Sequence, residues 1–143
     1  MTVGSILAEK GRNVFTTNQQ TPMSKVVDIL AEKKIGAMVV LDEKDKVAGI
    51  ISERDVVREI SVSGASILSK PVSTCMTRAV ISCGETDTVE QVMTVMTTNR
   101  FRHVPVVSKG QLVGIISIGD VVKRKIQQAE KDAEDLRNYI ASG

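Results

Sequence analysis

The apolar residues of this chain fall into short runs that switch between two spacings. Val26, Ile29 and Leu30, and later Val92, Val95 and Met96, recur at helical intervals. Between and after them stand compact apolar runs typical of buried strands: AMVVL and KVAGIIS around the charged turn DEKDK, then FRHVPVV and QLVGIIS around SKG. Each second run leads into an amphipathic helix, DVVREI or DVVKRKI. A short strand is expected ahead of each first helix, at Asn13–Thr16 and Ala79–Ser82. The first helix has Thr21 and Pro22 at its start, suited to a capping hydroxyl and a first-turn proline, and its partner should begin near Asp87. The predicted order is strand, helix, strand, strand, helix, twice over. Strands joined through a helix should run parallel with a right-handed crossover. Those joined by a tight turn should be antiparallel.

That doubling is an internal repeat. GIISERDVV begins at Gly49 and GIISIGDVV at Gly114, an offset of 65 residues. At an offset of 66, Val14–Leu30 aligns with Val80–Met96, and VGSIL at Val3 echoes VSTCM at Val72. The chain divides into a first unit at 1–60, a Ser-, Gly- and Pro-containing linker at 61–71, a second unit at 72–126 and a helical extension at 127–143. A unit of about sixty residues buries too little surface to stand alone comfortably, so the two should pack about a pseudo-twofold axis. The fold class is α+β. In the extension, Val122, Ile126, Ala129, Ala133, Leu136 and Ile140 step by four and three, the coiled-coil period. Such a stripe serves either a helix lying back on its own module or a contact between two copies.

Composition narrows the function. The net charge of +2 lacks the concentrated basic stripe of a nucleic-acid binder, and Phe15, Phe101 and Tyr139 are too few rings for base stacking. The N-terminus holds no apolar run long enough for a signal peptide or a membrane span, and two cysteines do not make a disulfide framework, so a reduced, cytoplasmic protein is expected. His103, the single histidine, has no base partner or nucleophile, and with Cys75 and Cys83 it matches no zinc pattern. No phosphate-binding loop of the P-loop type and no dinucleotide fingerprint occurs. An enzyme is not expected, nor a metal or a catalytic cofactor.

The repeated GIIS-x-x-D phrase admits two readings. Ser52 with Asp55, and Ser117 with Asp120, have the spacing of a capping box. Equally, the first amides of a helix lack internal partners and carry partial positive charge, which makes the junction an anion site. A serine hydroxyl could then donate to phosphate while the carboxylate accepts from both hydroxyls of a ribose.

The doubled unit, with IGAMVV or RHVPVV followed by GIISERD or GIISIGD, resembles a tandem pair of CBS domains, a Bateman module, from about Val3 to Ile126. The phrases ERDVVRE and MTTNRFRHVPVV are most similar to small stand-alone bacterial CBS-pair proteins. The resemblance implies a regulatory module that binds AMP, ADP or ATP, or NAD(H) or S-adenosylmethionine, and senses energy or redox state. It implies phosphate roles for Ser52 and Ser117, ribose roles for Asp55 and Asp120, and a base-lining role for Gly36, Ala37, Met38, Arg102, His103 and Val104. Ile50 and Ile115 would hold adenine between aliphatic side chains, and Thr16, Ser82 and Pro105 complete the candidate set. The alternative is a ligand-free dimerising scaffold that docks a partner protein. The halves differ in charge: Glu53-Arg54 stands where the second half has Ile118-Gly119, and Arg100, Arg102 and His103 replace Lys34, Gly36 and Ala37. Arg54, Arg102 and His103 are expected to converge on phosphate in a central cleft, and Arg100 to be a solvated surface charge. A homodimer with an unidentified target is expected.

Overall fold

The computed structural model describes residues 1–142. Its elements run α1 (Val3–Lys10), β1 (Thr16–Asn18), α2 (Met23–Lys33), β2 (Ala37–Leu41), β3 (Val47–Ser52), α3 (Glu53–Ser63), two 3-10 turns (Gly64–Ser69 and Val72–Thr74), α4 (Val89–Asn99), β4 (His103–Ser108), β5 (Gln111–Ser117) and α5 (Ile118–Ser142). β1 lies parallel to β2, and β2 antiparallel to β3, as the connections require. None of the described helices is long and apolar enough to cross a membrane.

Several local expectations need correction. The first strand lies at Thr16–Asn18, not Asn13–Thr16, because pairing with β2 (Thr16 opposite Val39) selects the β-branched threonines over the apolar residues before them. The strand expected at Ala79–Ser82 does not form. The β4–β5 pair gains only a parallel bridge from Cys83 to Val106, because Asp87 Oδ2 accepts from the Gly84 amide at 2.8 Å and turns the chain away. Thr21 does not cap α2. Its hydroxyl accepts from Thr17 Oγ1 at 2.6 Å, Pro22 is itself the cap residue, and the Met23 amide is satisfied by the Lys70 carbonyl at 2.9 Å. α4 begins at Val89, where Thr88 and Gln91 form a complete capping box. The linker is pinned to the fold, since Ile67 is buried in the first unit's core.

The feature that organises the molecule is an exchange of N-terminal segments. Val3, Ile6 and Leu7 of α1 lie in the core of the second unit, with Val92, Met96, Val104, Val106 and Ile116. Reciprocally, Val72, Cys75 and Met76 lie in the core of the first, with Met23, Val26, Met38 and Ile51. This explains the glycine in both repeated phrases. A Cβ on Gly49 would fall 2.5 Å from Met76 Sδ and 2.9 Å from the Thr77 carbonyl oxygen; one on Gly114 would fall 2.7 Å from Leu7 Cδ2. Gly49→Ala is therefore expected to lower stability by about 1–3 kcal/mol, the usual cost of overpacking, because the Thr77 backbone cannot yield. A melting temperature equal to the parent's would contradict this packing.

α5 is one continuous helix, about 37 Å long at 1.5 Å per residue. From Ala129 to Ser142 every residue is exposed, so the helix does not lie back on its own module.

Candidate functional site

The segment exchange delivers Thr77 to Ile81 from the second unit to the β3–α3 junction of the first. There Ile50 and Thr77 exchange backbone bonds, N to O at 3.0 Å and 2.9 Å. At the same junction Ser52 and Asp55 form the expected capping box: Asp55 Oδ2 accepts from the Ser52 amide at 2.9 Å and from its hydroxyl at 3.0 Å. The Asp55 amide donates to Ser52 Oγ at 3.3 Å, and the Glu53 amide to the Gly36 carbonyl at 3.0 Å. The cap thus already engages two of the amides at this helix end, and positive charge near it comes chiefly from side chains.

Those side chains surround a cleft of about 280 Å³. Arg54 and Arg58 come from α3, and Arg100 and Arg102 from the entry to β4. Ile50, Val80, Ile81 and Phe101 supply apolar lining, and Glu53 adds a carboxylate. Arg100 takes the left-handed conformation (φ 58°) that ends α4, as its repeat partner Lys34 (φ 54°) ends α2, and this turn directs the chain into the cleft. Arg100 is exposed, as expected of a solvated surface charge, and it also borders the cleft. His103 and Gly36 meet where the two units face each other, a Gly36 Cβ falling 3.0 Å from the imidazole. Burial, and then the nearby cations Lys10 and Arg102, hold the His103 pKa below its ordinary 6.5 against the pull of Glu53 and Asp120, so the ring is neutral at pH 7.

Of the candidate residues, Gly36, Ile50, Ser52, Arg54, Asp55, Arg102 and His103 line this cleft. Met38 and Val104 are fully buried in the two cores, and Ala37 and Pro105 are buried beside them, on β2 and β4 respectively. Thr16 and Ser82 are exposed and lie outside it. Ile115, Ser117 and Asp120 form the matching second junction. There the Ser117 amide donates to Asp120 Oδ2 at 2.8 Å, and the Ile118 amide to the Arg102 carbonyl at 2.8 Å. The Asp120 carboxylate is already engaged by Lys10, whose Nζ stands 2.6 Å from Oδ2. Asp55 also has a partner, Arg58 at 2.8 Å, but that side chain is largely exposed. Sequence reasoning missed Glu53, Arg58, Thr77, Ala79, Val80, Ile81, Asn99 and Phe101. Only the VGSIL–VSTCM echo hinted at a role for the segment that carries four of them.

Neither thiol is a nucleophile at neutral pH: both are buried, and burial together with Asp87 pushes Cys83 up to about 11. Among the described residues no group of three or more His, Cys, Asp or Glu is placed to hold a metal ion.

The CBS domain family model matches residues 3–62 and 72–126. A mitochondrial CBS domain-containing protein of Arabidopsis thaliana, CBSX3, is 32% identical over 99% of this chain and 73% of its own. A CBS-domain containing protein of Agrobacterium tumefaciens superposes with TM-score 0.84 at 44% identity, over 87% of this chain and 92% of that one. A CBS domain protein of Pyrobaculum aerophilum, solved in complex with AMP, superposes with TM-score 0.75 at 26% identity, over 84% and 89%. With two matched units, the same α+β pairing and a relative aligned along nearly the whole of this chain, the chain belongs to the CBS domain family.

Proposed function

We infer that this protein is a non-catalytic regulatory module that binds an adenine nucleotide in the cleft at the first β3–α3 junction and senses energy or redox state through it. One observation carries the reading: four arginines line the same cleft as the apolar Ile50, Val80, Ile81 and Phe101, and outnumber its two carboxylates, Glu53 and Asp55. Such a lining suits a ligand with an anionic end and a flat, weakly polar base. A guanidinium offers paired donors to phosphate oxygens. In this reading Arg54 and Arg102 hold phosphate beside Ser52, and adenine lies against Ile50, Val80 and Ile81. Arg58 swings from Asp55 toward the phosphates, and the ribose diol takes its place on Oδ1. The AMP complex of the Pyrobaculum relative supports the choice of ligand class. ADP, ATP and NAD(H) share the adenosine and phosphate groups on which the reading rests.

A thermal-shift panel of adenosine, AMP, ADP, ATP and NAD(H) tests it. At a hundred times its dissociation constant a ligand stabilises the native state by about 2.7 kcal/mol. The nucleotides should raise the melting temperature and adenosine should do so least. An unmoved transition across the panel would favour the second reading, a ligand-free scaffold. That reading rests on the exposed Val122, Ile126, Leu136 and Ile140 along α5, a stripe suited to pairing two copies or docking a target.

A further inference from the structure

We propose that Lys10 seals the second junction, so that one chain holds one nucleotide and Lys10 sets that stoichiometry. The inference rests on the nucleotide reading of the first cleft and concerns what makes its twin different. At the second junction the carboxylate that would take a ribose already holds an internal cation: Lys10 Nζ bonds Asp120 Oδ2 at 2.6 Å and the Ile115 carbonyl at 3.0 Å. Taken alone, burial would raise the Asp120 pKa, but the bonds from Lys10 and Ser117 outweigh it and hold the carboxyl below its usual 3.8, so it is ionised and paired at neutral pH.

The seal is built into the fold. Lys10 follows Leu7 by three residues on the same face of α1, and Leu7 is locked under Gly114. Arg124 of α5 fastens the same helix, bonding the Ser5 carbonyl at 3.1 Å and Glu9 Oε2 at 2.9 Å. The equivalent segment of the first junction is only the three-residue turn Val72–Thr74. The chain beyond it has Ala79 where α1 has Lys10, and its one cation, Arg78, donates to the Ser73 carbonyl at 2.9 Å, so the carboxylate there is left to the largely exposed Arg58. The second junction also lacks the first one's phosphate donors, since Arg54 and Arg102 are replaced in the repeat by Gly119 and Gly36. The anion-attracting side chains are pooled at one junction, and an internal cation fills the other.

Calorimetric titration of AMP into the full chain tests this, alongside Lys10→Met and the double variant Lys10→Met with Gly119→Arg. Methionine keeps the apolar stem and removes the charge, and the arginine restores the missing phosphate donor. The expected result is one equivalent for the parent, a second and weaker one for Lys10→Met, and a second within about tenfold of the first for the double variant. Two equivalents in the parent would overturn the inference, as would a single equivalent in both variants when their circular dichroism melts like the parent's. Absence of binding in all three proteins would instead overturn the nucleotide reading, and this inference with it.

Discussion

Arg54→Ala and Arg102→Ala are each expected to weaken AMP binding by roughly 10- to 150-fold, while adenosine binding stays within about twofold of the parent. The magnitude follows from losing charge-assisted hydrogen bonds worth about 1.5–3 kcal/mol. Selectivity is the informative part. Both guanidiniums line the cleft from opposite units, Arg54 on the first turn of α3 and Arg102 just before β4. If they face phosphate, a ligand without phosphate has nothing to lose. Calorimetry with the two ligands separates this from a general collapse of the cleft, which would weaken both equally. The effect should also shrink as salt rises, because partly exposed charges are screened.

The second large effect is on stability. Leu7→Ala is expected to lower stability by about 3 kcal/mol, within the range measured for leucine truncations in cores. For a domain of this size that is a fall of roughly 10 °C in melting temperature. Its side chain is 1% exposed and sits among residues of the second unit although it belongs to the N-terminus of the first. Val62→Ala, at 77% exposure on α3, should leave the midpoint almost unchanged. A Leu7 variant that melted with the parent would show that α1 is not part of the second core. It would also remove the anchor on which the Lys10 contact depends.

The sequence foretold whatever is local or repeated. Helical and strand spacings gave the two units, and the Ser-x-x-Asp phrase gave both caps with the partners the structure records. The phrase and the charge differences between halves also located Ser52, Arg54, Asp55, Arg102 and His103 in one cleft. What stayed hidden depends on contacts far apart in the chain. The exchange of N-terminal segments joins residues such as Leu7 and Gly114, and no periodicity records which unit a short apolar segment will join. Lys10 reaches Asp120 only because of that exchange, so the assignment of equal roles to Asp55 and Asp120 could not anticipate their different partners. The missing strand before β4 has a different cause. Ala79–Ser82 has strand-like residues, but pairing needs a register, and the Gly84–Asp87 turn leaves only Cys83 in place to bridge.

The most direct measurement is a crystal structure of the chain grown with AMP. The account predicts one nucleotide at the first junction, with its phosphate on Arg54, Arg102 and Ser52, its ribose on Asp55 in place of Arg58, and Lys10 still on Asp120. A phosphate bound away from those arginines, or a ribose seated on Asp120 with Lys10 displaced, would contradict it.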